Sequence, residues 1–415
     1  MSTIVTRRLS CGTPLIAERM SGVRSASLTW LLPTGCARDP AEKQGLAAMW
    51  GEIILRGAGS RSSREHADAL DRLGVVRATE PRVFTLRLGA TMLGERMHEA
   101  LPLLSDMVLA PRMEESAVEP CRDLAMQALA SVADDPQERA SLAARERHHP
   151  QPLCRSGLGT EEGLEAISGD DLRQEWARHA RPGGSIIAAA GAVDVDALEG
   201  RLNELFSSWQ GASPEPEIGP PAARGYGHIE DPSNQVQVLL LEDAPPEPHP
   251  DSLLEKVVVM VLSGGMSGRL FTEVREKRGL CYSVSAGYGG DRDYGVLSAY
   301  VGTTPERAQE SLDVLHAELR RITTPEGAIT PEEFSRAVVG MKSGLIFSGE
   351  STSARAASLA ADYRRLGRSR SLDELAGEID RLSLDRVNEY LSRRKPGRVT
   401  IQTLGPAALK PPSEK

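Results

Sequence analysis

Apolar and polar positions along this 415-residue chain fall into two series of elements that follow the same order. Each series opens with a strand pattern, SASLTWLLPTG over 25–35 and NQVQVLLLEDAPP over 234–246, and each strand leads into a long apolar helix, over 42–55 and 251–262. Two further strands follow in each, within 77–91 and 281–304, and then a helix, GERMHEALPLLSDMV in the first series and PERAQESLDVLHAEL in the second. Another helix starts at MEESAVEPCRDLAMQAL and again at TPEEFSRAVVGMKSGLI, with acidic residues in its first turn and Thr330-Pro331 marking the second start. The series close alike, EWARHARPGGSIIAAAG against EYLSRRKPGRVTIQTLG, where Trp176/Tyr390, Pro182/Pro396, Gly183/Gly397 and Gly191/Gly405 share one offset of 214 residues. Between them runs GASPEPEIGPPAARG, rich in Pro and Gly and without periodicity, which reads as an extended linker. The pattern predicts a tandem duplication of an α+β domain, helices covering one face of a mostly antiparallel sheet. The domains run over 1–210 and 226–415, with the linker at 211–225. Two such α/β sandwich domains on one linker point to a clamshell with a cavity between them.

Composition narrows the class. With 40% hydrophobic and 26% charged residues the chain is an ordinary globular one, and with only 4% aromatics its cores must rest on Leu, Val, Ile and Ala. No apolar run approaches the roughly 18 residues that span a bilayer. The start MSTIVTRRLSCGTPLIAERM lacks the long apolar stretch of a secretory signal, so a cytoplasmic protein without a membrane partner is expected. A net charge of −9 argues against nucleic-acid binding. The cysteines, Cys11, Cys36, Cys121, Cys154 and Cys281, are odd in number and scattered, with no C-x-x-C pair; they read as buried or idle thiols.

The helix of the first half runs GLAAMWGEIILRGAGSRSS over 45–63. Here the chain resembles the pitrilysin or insulinase family of zinc metallopeptidases, whose inverted motif is H-x-x-E-H. Gly45, Leu46, Ala47 and Gly57 fit the family's frame, and the motif itself does not. The resemblance puts the first zinc-binding histidine at Ala48, the catalytic glutamate at Gly51 and the second histidine at Glu52. Zinc hydrolysis needs two imidazoles four residues apart on one helix face, and a carboxylate that takes a proton from bound water. A methyl and a hydrogen supply neither. Anchoring on Asp134, Asp135 and Pro136 places the family's third ligand, a glutamate, at Ala128 and its supporting glutamate at Cys121. His66, His98, His179, His228, His249 and His316 stand isolated, and surface or capping roles are expected for them. His148 and His149, adjacent in a loop-like H-P-…-G-T stretch, read as structural. No zinc or other cofactor is expected on this chain.

The second half carries the longer match: SGGMSGRLFTEVREKRGLCYSVSAGYG over 263–289 resembles the family's second-domain signature, S-R-L-F-x-E-x-R-E-x-x-G-L-x-Y after a Gly-rich turn. The residues predict a helix over 267–277, a left-handed cap at Gly279 and a strand from Cys281, with Arg275 and Tyr282 seven residues apart. In the family an Arg and a Tyr at this spacing hold substrate carbonyls and steady the oxyanion. A guanidinium and a phenol are suited to that, being donors toward a developing negative oxygen. The plainer alternative pairs Arg275 with Glu273 or Glu276 and leaves Tyr282 as packing. SGGMSGR lacks the lysine and spacing of a phosphate loop and serves better as a helix entry.

One half-site present and the other lost implies, by the resemblance, the non-catalytic, substrate-binding subunit of a heterodimeric zinc metallopeptidase. Its partner would be a homologous H-x-x-E-H subunit holding the zinc. A peptide-binding or scaffold protein of the same fold with no protease partner is the alternative, and a homodimer of the isolated chain is compatible with either. Peptide could also add to a sheet edge, for which 30–35, beside the altered motif, is the candidate.

Overall fold

The structure, a computed structural model, describes residues 3–412. Strands form at the places read from the apolar pattern, and three more, at Ile4–Arg8, Pro14–Arg19 and Gly225–Glu230, precede them in the two halves. In the first sheet these are β1 (Ile4–Arg8), β2 (Pro14–Arg19), β3 (Ser25–Leu32), β4 (Val76–Pro81), β5 (Leu86–Leu93) and β6 (Ile186–Gly191). Their order is β1-β2-β6-β3-β5-β4, with β2 and β6 parallel and the other neighbours antiparallel. The second sheet contains β7 (Gly225–Glu230), β8 (Val236–Ala244), β9 (Cys281–Gly290), β10 (Gly295–Thr303) and β11 (Thr400–Gly405), ordered β7-β11-β8-β10-β9, again with one parallel pair, β7 and β11. Removing β1 makes the two orders identical. β6 and β11 start and stop 214 residues apart, so the offset read from Gly191 and Gly405 extends to whole strands.

Two compact units result. One comprises Met1–Ser131, Gln151–Gly219 and Ser348–Ser371; the other comprises Val132–Pro150, Pro220–Phe347 and Leu372–Lys415. Each therefore borrows one helix from the opposite half of the chain. Helix Pro136–His148 packs on β8 and β11, where Ala140 and Ala144 meet Leu239, Leu241 and Leu404. Its repeat equivalent, helix Thr352–Leu366, packs on β3 and β6, with Ala356, Leu359 and Ala360 against Ile16, Leu31, Ala188 and Ala190. This corrects the expectation of helices on one face only. The central strands β3 and β6 are buried almost throughout, β6 apolar on both sides and β3 with Ser27, Thr29 and Leu31 on its second side, which requires cover on both faces. Small residues at the helix–sheet contacts let the backbones approach closely.

The remaining helices of each unit cover the other face and close its main core. Trp30, Trp50, Phe206 and a Leu/Met/Ile shell fill the first, and Leu254, Val257, Leu270, Val274, Leu312 and Tyr390 belong to the second. Residues 213–224 carry neither helix nor strand. Among the described residues no helix is long and apolar enough to cross a membrane, and none of the cysteines forms a disulfide. His66 and His179 are buried, contrary to a surface role, and His148, read as structural, is buried too; His66 Nε2 lies 3.1 Å from the Leu103 carbonyl. The segment 30–35 is no sheet edge either, because β3 is paired on both sides, by β6 and β5. The edges of the sheets are β1 and β4, and β7 and β9.

Candidate functional site

The altered motif lies on helix Leu46–Ile53, which follows a short 3-10 turn, Ala41–Lys43, and Gly45 at φ +127°. Asp39 anchors the helix start: its Oδ2 accepts from the Gly45 N–H at 2.9 Å, and the nearby Leu46 and Ala47 N–H groups favour its charged form. Burial pushes this carboxyl up to about 7, although those N–H groups and the Arg155 charge all pull downward. Arg155 in turn donates to the carbonyls of Cys36 and Asp39. Leu46, Met49, Trp50 and Ile53 point into the core, and the Trp50 indole donates to the Leu172 carbonyl at 3.1 Å. That leaves Ala48 and Glu52 half-buried on the other face.

Gly51 is covered by the edge strand β4. Thr79 Oγ1 donates to the Gly51 carbonyl at 2.7 Å, and a Cβ at position 51 would stand 3.3 Å from Pro81 Cγ. Strand and helix have closed over the place the resemblance gives to the catalytic glutamate. Sequence reasoning missed Thr79 and Pro81; the alternation of β4, which turns Arg77, Thr79 and Pro81 inward, is the signal that could have found them. On helix Glu115–Ala133, Cys121 is buried and Ala128 is exposed. Burial pushes the Cys121 thiol up to about 11, with the Arg56 and Glu52 charges acting on it in opposite directions. The fold thus brings Glu52 close to Cys121 and leaves Ala128 facing solvent. Two methyl groups, a hydrogen and one carboxylate do not fit a zinc ion, and among the described residues no three His, Cys, Asp or Glu side chains converge to hold a metal.

The second-half motif builds a different kind of site. Gly264 follows helix Ser252–Ser263, and the predicted helix over 267–277 is instead a short one whose last part, Phe271–Glu276, is wound as a π-helix. Its widened turn is closed by the Lys277 N–H donating to the Thr272 carbonyl at 2.9 Å. Leu270, Val274 and Leu280 anchor the segment in the core, and Gly279 at φ +60° turns the chain into β9. Arg275 and Tyr282 come together there. Arg275 Nη1 donates to the Tyr282 carbonyl at 2.7 Å, and the guanidinium carbon lies 4.8 Å from the centre of the Tyr282 ring and 4.9 Å from that of Phe271. Glu273 does not take Arg275; it accepts from Lys277 at 2.8 Å and from Arg278 at 2.9 Å, which hold its carboxyl below the usual range. Tyr282 is 83% exposed, too open for a packing role, and its hydroxyl has no hydrogen-bond partner among the described residues.

Comparison with known proteins matches both halves to one family. The model described as insulinase (peptidase family M16) covers residues 15–156, and that of the peptidase M16 inactive domain covers residues 166–341. The chain is 27% identical to an uncharacterized zinc protease of Bacillus subtilis over 387 residues, 92% of this chain and 94% of that protein. It is 28% identical to one of Mycobacterium leprae, over 96% and 91% of the two chains. Among solved structures it is similar to a peptidase M16 inactive domain from Pseudomonas fluorescens (TM-score 0.87, 19% identity, 99% of each chain). A protease from Helicobacter pylori is similar as well (TM-score 0.88, 18% identity, 98% of this chain and 100% of that one). The duplicated fold, the two family matches and the altered motif helix lead to one conclusion: the chain belongs to the insulinase (M16) peptidase family, as a member without the family's zinc motif.

Proposed function

We propose that this chain is the substrate-binding, non-catalytic subunit of a two-subunit zinc peptidase. In this reading Arg275 and Tyr282 donate to substrate carbonyl oxygens, and to the oxyanion that develops during cleavage, at the zinc site of an H-x-x-E-H partner. The observation that carries it is the contrast between the two motifs. The zinc positions hold Ala48, Gly51, Glu52 and Ala128, whereas the Arg275/Tyr282 pair stands assembled and open, with the phenol free to donate. Preorganised donors of this type are each worth about 2.7–4 kcal/mol toward an oxyanion. The free edge of β4 supports peptide binding by strand addition, in place of 30–35. Similarity to a chain of complex III2 from Candida albicans (TM-score 0.82, 17% identity) motivates the second reading, a scaffold of the same fold with no protease partner.

The test is peptidase activity and zinc content of the chain alone and co-expressed with an H-x-x-E-H homologue. The expected result is an inactive, zinc-free chain alone and a pair whose cleavage rate falls about 10²–10³-fold with Tyr282→Phe or Arg275→Ala. A pair whose rate ignores both substitutions points to the scaffold reading. Zinc-dependent cleavage by the chain alone overturns both.

A further inference from the structure

We infer that Phe271 is a positioning residue for Arg275, its ring forming with that of Tyr282 a clamp that fixes the guanidinium for substrate. The inference rests on the reading of Arg275 as a substrate donor. Three observations carry it. First, the guanidinium is held between two rings, 4.9 Å from Phe271 and 4.8 Å from Tyr282, within the range where a cation is attracted to an aromatic face. Secondly, packing does not account for Phe271. Its neighbours Leu270 and Val274 enter the hydrophobic core, but Phe271 is half-buried and outside that cluster. Thirdly, the winding of Phe271–Glu276 as a π-helix places a residue and the one four further on near the same side of the wide turn, and these are Phe271 and Arg275.

The electrostatics of the segment point the same way. The nearby carboxylate of Glu273 is taken by Lys277 and Arg278, so Arg275 has no acid partner among the described residues. An arginine without a counter-ion on an exposed turn samples many rotamers, and that freedom must be given up when substrate binds. The two rings and the 2.7 Å bond from Nη1 to the Tyr282 carbonyl remove that freedom in advance. Nε–H and Nη2–H then form the guanidinium edge left to donate, with no acceptor among the described residues. A fork of this kind suits two closely spaced oxygens.

The experiment uses the full chain with wild type, Phe271→Leu, Phe271→Tyr, Arg275→Ala and Tyr282→Phe. One arm follows the arginine Nε–H signals by NMR, with Arg275 assigned by its loss in Arg275→Ala. The other measures affinity for fluorescein-labelled 20-residue peptides of randomised sequence by anisotropy. The clamp predicts an Arg275 signal shifted upfield by ring currents, the shift being reduced in Phe271→Leu, where only the Tyr282 ring remains, and retained in Phe271→Tyr. Peptide affinity should fall about two- to fivefold in Phe271→Leu, the range of an exposed cation–π contact, and be restored in Phe271→Tyr. An unshifted Arg275 signal, or one unchanged in Phe271→Leu, overturns the clamp whatever the peptides do. A shifted signal with peptide affinity indifferent to Arg275→Ala overturns the substrate-donor reading instead, and the positioning role with it. Affinity lost in Arg275→Ala and kept in Phe271→Leu leaves the donor and removes the positioning residue.

Discussion

Replacing Arg394 with methionine should loosen the second unit selectively. Arg394 lies just past helix Leu384–Arg393 and is almost wholly buried between two carboxylates. Its Nη1 donates to Glu242 at 2.6 Å, and its Nε and Nη2 donate to Glu255 at 3.0 and 2.7 Å. Glu242 comes from β8 and Glu255 from helix Ser252–Ser263, and both are at most 1% exposed. One guanidinium therefore ties a strand, a core helix and the chain end that follows another helix. Breaking a buried pair from one side costs about 3–5 kcal/mol, because the remaining charge is left without its partner. The lower end applies here: Arg320 still donates to Glu242 at 2.7 Å, and the Tyr390 hydroxyl still donates to Glu255. About 3 kcal/mol corresponds to about 150-fold faster amide exchange. Hydrogen exchange read by mass spectrometry should show it in Ser252–Ser263 and Leu384–Arg393. Trp30, Trp50, Trp176 and Trp209 all lie in the first unit, so tryptophan emission during denaturation reports that unit separately and should barely change. Adding Glu242→Gln and Glu255→Gln to Arg394→Met should recover most of the loss, since the stranded charges are then gone. A single-variant effect under about threefold, or no recovery in the triple variant, would refute the electrostatic account.

Further expectations follow from the same packing. Asp39, with its carboxyl raised from 3.8 to about 7, binds more protons folded than unfolded, so its contribution to stability is lost as pH rises from about 4 to 7. Asp39→Asn should flatten that slope in denaturation midpoints, and Asp39→Ala should cost about 1–2 kcal/mol by removing the acceptor at the helix start. His149, lowered from 6.5 to about 4 by burial and then by the neighbouring His148 and arginine charges, acts with the opposite sign. It binds fewer protons folded, so stability should fall as pH drops from about 6.5 to 4, and His149→Phe should lessen that fall. Gly51→Leu should cost about 1–3 kcal/mol by forcing β4 away from the motif helix, measured by urea unfolding; no loss would mean that Pro81 and Thr79 yield freely. A fragment spanning 1–210 lacks helix Thr352–Leu366 and should bind a hydrophobic dye far more strongly than the full chain, because β3 and β6 lose the cover on one face.

Much of this protein was legible before its fold. The period of apolar positions and the 214-residue offset of four residue pairs were enough for the duplication, since both halves must bury the same pattern. The absence of H-x-x-E-H and the spacing of Arg275 and Tyr282 are facts of residue type, which no packing alters. What the sequence could not show is which surfaces meet. Exchange of helices Pro136–His148 and Thr352–Leu366 between the units leaves no local mark, because an alanine-rich helix suits either sheet equally and only the tertiary contacts choose. The edge strand was misplaced at 30–35 for a related reason: a strand's own residues do not reveal its hydrogen-bonding neighbours, and pairing puts β4 at the edge and β3 in the middle. Likewise Phe271 drew no notice as one aromatic in a motif. Its ring faces the Arg275 guanidinium four residues on along the same helical segment, whose orientation is settled by the anchors Leu270, Val274 and Leu280 around it. Identity and spacing follow from the chain alone; partnership between distant surfaces is decided only when the whole chain is packed.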